Sequence, residues 1–149
     1  MVDTLDRMTF TEGIGLRRID HIGIAVPDLD AALDWYAGAL GGEEVHREVN
    51  EAQGVVEAMV AWREGGAQVQ LLAPIGEDSP IAKFIGTKGP GLQQLAFTVA
   101  DVEAAASALR ARGCRLLYDE ARQGTAGSRI NFVHPKDAGG VLIELVEPA

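Results

Sequence analysis

The chain has 149 residues, with 22 Asp plus Glu against 13 Lys plus Arg and a formal net charge of -9. This length suits a single domain, and the acidic balance argues against a nucleic-acid partner, because phosphate neutralisation needs clustered Lys and Arg. No run approaches the roughly 20 apolar residues of a membrane span, no apolar signal segment opens the chain, and the lone Cys114 excludes an internal disulfide. These features predict a cytoplasmic globular protein that binds neither nucleic acid nor membrane.

The chain contains two copies of one sequence pattern. The stretch D-H-I-G-I-A-V-P-D-L-D-A-A, which begins at Asp20, recurs from Gln93 as Q-Q-L-A-F-T-V-A-D-V-E-A-A. Asp28 corresponds to Asp101, and His21 lies 73 residues before its counterpart Gln94. Residues 1–17 match neither copy, so the sequence predicts a loose N-terminal arm followed by one domain over residues 18–149.

Each copy is predicted to begin with a strand and a helix. Residues 19–26 and 94–99 alternate between a bulky apolar face and a face of small residues, which is typical of a strand covered on one side. Asp28 and Asp101 are good N-caps for the helices that follow, and Gly41 and Gly113 are suited to end them. The apolar stripe of the first helix consists of Leu29, Leu33, Tyr36 and Leu40.

Three shorter strands are predicted after each helix. They cover about residues 44–49, 55–62 and 69–72 in the first copy, and about 115–118, 130–133 and 141–146 in the second. Ser79 caps a further helix in the connection, with Pro80 as its first residue. The order βαβββ, repeated twice, predicts an α+β fold of two modules, about 18–75 and 91–149, whose first and last strands can converge on one cup.

Four polar residues occupy positions that the repeat relates to one another: His21, Gln70, Gln94 and Glu144. Period-2 alternation turns Gln70 and Glu144 away from their apolar neighbours, and an unpaired carboxylate among apolar side chains is costly. One His and three oxygen donors could form a divalent cation site with positions left for substrate. The alternative is that each residue is an ordinary polar group of the core or the surface.

Several segments resemble a known family over residues 18–148, essentially the whole chain. The similarity is to the methylmalonyl-CoA epimerases of the vicinal oxygen chelate superfamily. It is carried by the segments RIDHIGIAVPDLDAA, VQLLAP and, most specifically, INFVHPKDAGGVLIEL. The resemblance implies paired βαβββ modules that form a cupped mixed sheet around a divalent metal, a homodimer, and an acyl-CoA substrate.

The resemblance also implies the metal ligands. His21, Gln70 and Glu144 match the family's ligands, whereas Gln94 stands where the epimerases have a second His. A neutral amide is a weaker ligand than imidazole for transition metals, so we expect Co²⁺, Mn²⁺, Mg²⁺ or Zn²⁺ to bind less tightly, with a shift toward harder ions.

A second departure concerns the acid/base groups. Epimerisation removes the proton alpha to a thioester and a carboxylate and returns it to the other face, which takes two acid/base groups. The family has a Glu before Gln-Gly, where this chain has Ala52 in N-E-A-Q-G. The remaining catalytic candidates are Glu51, whose side chain an extended strand would turn to the other face, and Glu144.

These departures leave three hypotheses open. The first hypothesis is an epimerase-like isomerase that tolerates the changes, with reduced or altered activity. The second hypothesis is a diverged enzyme, such as a decarboxylase, lyase or cyclising isomerase of secondary metabolism that acts on a related dicarbonyl or thioester. The third hypothesis is a non-catalytic small-molecule binding protein on the same scaffold.

Overall fold

The computed structural model describes residues 13–149, and the fold consists of two βαβββ modules in one sheet. Most of the expected arm, residues 1–12, lies outside the described residues, while β1 begins at Leu16 and so includes two residues of that arm. The first module contains β1 (Leu16–Ala25), α1 (Leu29–Leu33), β2 (Glu43–Asn50), β3 (Val55–Ala61) and β4 (Gln68–Pro74). After α2 (Pro80–Lys88), the second contains β5 (Gly91–Val99), α3 (Val102–Ala111), β6 (Arg122–Gln123), β7 (Arg129–Val133) and β8 (Ile143–Glu147).

The eight strands form one mixed, curled sheet in the order β2-β3-β4-β1-β5-β8-β7-β6. Strand β1 is parallel to β4 and β5 is parallel to β8, while the antiparallel pair β1–β5 joins the two modules at the centre. The α+β fold of paired βαβββ modules, predicted from the repeat, is therefore confirmed.

The helix caps follow the sequence prediction. The carboxylates of Asp28 and Asp101 each accept a hydrogen bond from a backbone N–H in the first turn of α1 and α3, and Ser79 does the same for α2. The helix that α1 begins continues as a π-helix over Asp34–Ala39, which widens the turn and rotates the apolar stripe. Leu40, expected to be buried at the end of that stripe, is consequently exposed.

The second module departs from the prediction at its second strand. Residues 115–118 form only an isolated bridge, between Leu116 and Val133, and the regular strand is β6. Polar side chains satisfy the backbone hydrogen bonds of this segment instead. The Asn131 side chain accepts a hydrogen bond from the N–H of Tyr118 and donates one to its C=O. The carboxylate of Asp137 accepts from the backbone N–H and the guanidinium of Arg115.

Apolar clusters join α1 and α3 to the outer face of the sheet, which leaves the inner face available for polar side chains. Leu29 and Leu33 of α1 pack against Val60 and Leu71, and Val102 of α3 packs in a second cluster. Within residues 13–149, no helix has both the length and the apolar character that crossing a membrane requires.

Candidate functional site

The structure brings together the four polar residues that the repeat relates. Gly23 of β1 lies between Gln70 of β4 and Gln94 of β5, and on the next strand Glu144 lies opposite Ala96. Because these strands are adjacent, His21, Gln70, Gln94 and Glu144 meet on the concave side of the sheet. All four side chains are buried.

The carboxamide nitrogen of Gln94 lies at the centre of this cluster. Gln94 Nε2 is 2.5 Å from Glu144 Oε2, 3.0 Å from Gln70 Oε1 and 3.3 Å from His21 Nε2. Gln94 donates one N–H to Glu144 and one to Gln70, with His21 Nε2 beside it, so its nitrogen lies where the sequence predicted a shared cation.

His21 is oriented from behind by a second carboxylate. Its Nδ1 is 2.8 Å from Asp20 Oδ1, and Thr98 donates a hydrogen bond to the other oxygen of Asp20. Burial disfavours the charged imidazole, but the hydrogen bond to Asp20 and the charges of Asp20 and Glu144 outweigh it and raise the pKa of His21 to about 9. His21 therefore directs its Nε2 toward the cluster. At neutral pH its imidazole is protonated on both nitrogens and positively charged.

Glu57 of β3 is a buried carboxylate that the sequence analysis missed. It is 3% exposed, its Oε2 accepts a hydrogen bond from Gln70 Nε2 at 3.0 Å, and its Oε1 accepts one from Thr125 Oγ1 at 2.5 Å. A Glu inside the apolar run V-V-E-A-M-V is the same signal that singled out Glu144, so the sequence did contain a sign of it.

Burial raises the pKa of the Glu57 carboxyl above its usual range. The hydrogen bond from Thr125 works in the opposite direction, because it stabilises the ionised form, while the negative charges of Glu48 and Glu144 add to the increase. A raised pKa makes the ionised carboxylate of Glu57 a stronger base than an exposed glutamate, which favours proton abstraction.

Glu57 and Glu144 are the two ends of one hydrogen-bonded path, Glu57–Gln70–Gln94–Glu144. The path crosses from the second strand of the sheet to the sixth. Its links join neighbouring strands except Gln70–Gln94, which reaches across β1, two spacings of roughly 4.8 Å. Two carboxylates from different modules therefore face one cavity.

An open cavity lies against this path. Its walls include Glu57, Gln70, Gln94 and Glu144 as polar groups. Apolar side chains from both modules complete the wall: Leu72, Ile81, Leu117, Phe132 and Leu142.

Glu51 and Ala52 lie away from this cavity wall, contrary to expectation. Both are exposed in the turn between β2 and β3, where the backbone N–H of Gln53 donates to the side chain of Asn50. This turn directs Gln53 into the cavity and its two neighbours to solvent. The structure therefore places neither Ala52 nor the candidate base Glu51 in the cavity wall, where Glu57 is present instead.

The donor set does not fit a tightly held divalent metal. Of the four expected ligands only Glu144 is anionic, and Gln94 turns its nitrogen, which cannot ligate, toward the others. Across residues 13–149, no group of three or more His, Cys, Asp or Glu side chains is placed to hold a metal ion.

The fold and the site define a class of protein: paired βαβββ modules that enclose a buried polar cluster with two facing carboxylates. The chain belongs to the Glyoxalase/Bleomycin resistance protein/Dioxygenase superfamily, whose family model matches residues 20–132. The resemblance noted in the sequence is thereby confirmed.

Within that superfamily, the chain is similar to methylmalonyl-CoA epimerases. The mitochondrial methylmalonyl-CoA epimerase of Homo sapiens is 38% identical over 134 residues, which cover 87% of this chain and 73% of that protein. The crystal structure of methylmalonyl-CoA epimerase from Mycobacterium tuberculosis is 54% identical, with a TM-score of 0.90 and coverage of 97% and 95%. A further structure, of a methylmalonyl-CoA epimerase in complex with methylmalonyl-CoA and NH4+, is 50% identical, with a TM-score of 0.86 and coverage of 91% and 96%.

Proposed function

We propose that this chain is an isomerase that epimerises methylmalonyl-CoA by proton transfer at its alpha carbon. The observation that carries the proposal is the pair of buried carboxylates, Glu57 and Glu144, which face one cavity from opposite modules. Epimerisation needs two such groups, one for each face of the alpha carbon. The similarity to epimerases, one of them solved with methylmalonyl-CoA, supports this substrate.

The reaction begins with one carboxylate ionised and the other protonated. The ionised group takes the alpha proton, and the electron pair of the C–H bond moves into the thioester carbonyl to give an enolate. The protonated group then delivers its proton to the opposite face of the alpha carbon. The two carboxyl groups have exchanged protonation states at the end, and turnover in the other direction or proton exchange with solvent restores them.

The carboxamide nitrogen of Gln94 is the donor placed to stabilise the enolate oxygen, which would replace Gln70 as the acceptor of one of its N–H groups. Gln94 lies in the cavity wall between the two carboxylates, where a donor held in place before the reaction needs little reorganisation. The divalent metal that the resemblance implied (Co²⁺, Mn²⁺, Mg²⁺ or Zn²⁺) has no step in this mechanism, because the nitrogen of Gln94 fills the point that its ligands would share.

The other two hypotheses depended on two departures from the family, the ligand position Gln94 and the base position Ala52. Since Ala52 is an exposed turn residue and Glu57 supplies a carboxylate to the cavity, neither a changed reaction nor a purely binding role is needed to explain the sequence. The homodimer remains a prediction, and it is tested separately below.

The test incubates the protein with each epimer of methylmalonyl-CoA in deuterium oxide and follows the alpha proton by NMR. We expect each epimer to convert into the other with deuterium at the alpha carbon. Formation of propionyl-CoA would indicate a decarboxylase instead. Stoichiometric binding of methylmalonyl-CoA without exchange of the alpha proton would indicate a binding protein.

A further inference from the structure

The orientation of the Gln94 carboxamide is determined by its neighbours. Gln70 uses its own nitrogen to donate to Glu57 and Thr125, so it must turn its oxygen toward Gln94. Glu144 presents a carboxylate oxygen, which only accepts hydrogen bonds when it is ionised. The Gln94 atom that faces these two acceptors must therefore be the nitrogen.

Gly23 provides the space for this arrangement. It is the partner of Gln94 across the β1–β5 pair. A Cβ atom at position 23 would lie 2.4 Å from Cγ, 2.8 Å from Cδ and 3.1 Å from Nε2 of Gln94. The backbone of β1 thus holds the carboxamide in the centre of the cluster, and the inward nitrogen belongs to the packing of the sheet.

A divalent metal and this nitrogen exclude each other. A metal bound by nitrogen and oxygen ligands lies about 2.0–2.2 Å from each ligand atom. The point within reach of Glu144, Gln70 and His21 is already occupied by Gln94 Nε2. Reversing the carboxamide would place its oxygen against the oxygens of Gln70 and Glu144, which costs two hydrogen bonds.

We propose that the carboxamide nitrogen of Gln94 takes the place of the divalent cation, so that the site is complete without a resident metal. Its two N–H groups hold Gln70 and Glu144 in position, as ligation would. When an enolate oxygen approaches from the cavity, it replaces the oxygen of Gln70 as the acceptor of one of these N–H groups. This last step depends on the proposed epimerase function, whereas the exclusion of metal does not.

The first test is a titration of the chelator-treated protein with Co²⁺ alone, followed by the visible absorption of the bound ion and by calorimetry. The wild-type chain is expected to bind no stoichiometric Co²⁺. Gln94→His introduces an imidazole and should bind one equivalent of Co²⁺ at least about a hundredfold more tightly than the wild type. Losing a residue that only hydrogen-bonds a metal ligand already lowers metal affinity by about 10–100-fold, and losing a ligand itself should lower it at least as much. Gln123→His adds the same group on the exposed strand β6 and should behave as the wild type.

The second test compares the wild-type epimerase rate before and after exhaustive chelation, and the rate is expected to stay unchanged. One equivalent of Co²⁺ on the wild type with an affinity within tenfold of Gln94→His would overturn the proposal, and so would a rate that chelation abolishes and metal restores. If the wild type has no epimerase activity, the proposed function fails, while the Co²⁺ titration still decides the role of Gln94. If Gln94→His does not fold, the wild-type titration decides alone.

Discussion

Replacing Glu57 by Gln separates the chemistry of the site from its stability. Glu57→Gln keeps the size of the side chain and both hydrogen bonds, because an amide oxygen can accept from Gln70 and an amide nitrogen can donate to Thr125. It removes only the basic oxygen. Losing one general base lowers the rate by about 10²–10⁴-fold, which is roughly 3–5 kcal/mol of activation free energy.

Stability should respond in the opposite way. Because burial raises the pKa of Glu57, the folded protein disfavours its ionised form, and at about pH 7 that charge lowers the free energy of unfolding. The neutral amide removes this cost. We therefore expect the urea midpoint of Glu57→Gln to equal or exceed that of the wild type while its epimerase rate falls.

Deuterium exchange gives a sharper readout than the rate. With Glu57 neutral, Glu144 can still remove and return the proton of the one epimer that faces it. Glu57→Gln should therefore incorporate deuterium into one epimer of methylmalonyl-CoA without inverting it, and leave the other epimer unlabelled. The matched control is Glu51→Gln, which makes the same chemical change in the exposed turn and should leave rate and exchange unaltered. A full loss of activity in Glu51→Gln, with Glu57→Gln unaffected, would refute the assignment.

Three further predictions follow from other contacts. Thr125→Ala removes the hydrogen bond that stabilises ionised Glu57, so its pKa should rise further and the acid limb of the kcat/KM profile should move to higher pH; Thr125→Ser should restore the limb. The Arg115 guanidinium lowers the pKa of the Asp137 carboxyl to about 2, so the contact stabilises the fold above the ordinary Asp pKa and is lost as the pH falls through about 2. Asp137→Asn should thus have a lower urea midpoint at about pH 7, and the difference should shrink as the pH falls below about 4. Sedimentation at micromolar concentration should show a homodimer, because the sheet has open edges at β2 and β6, and a clean monomer would contradict this.

The repeat made the centre of the site predictable, and its limits explain the main omission. His21 and Gln94 were found because the spacing of 73 residues equates them, and the structure places them 3.3 Å apart. Glu57 lies on β3, outside the strands from which the repeat selected polar residues. It could be recognised only as a single carboxylate in an apolar strand, a weaker signal than a repeated one.

Other features depend on contacts between distant parts of the chain. Whether Gln94 turns its oxygen or its nitrogen inward is decided by Gln70 and Glu144, on strands that the sequence does not place at atomic precision. Likewise, the predicted strand over residues 115–118 failed because side chains of Asn131 and Asp137 bind its backbone. Strand propensity contains no information on such competition.

The central antiparallel pair β1–β5 has a consequence for how the protein can be divided. His21 and Glu57 come from one module and Gln94 and Glu144 from the other, so neither half contains a complete set of reacting groups. The connection that follows β4 is exposed around Gly76, and a cut there would leave each half its own strands. Two fragments produced separately should each be inactive. Mixing them should restore activity at the rate at which the fragments associate through the β1–β5 pair. The enzyme would thus work as a fragment-complementation reporter in which catalysis measures the association of its halves.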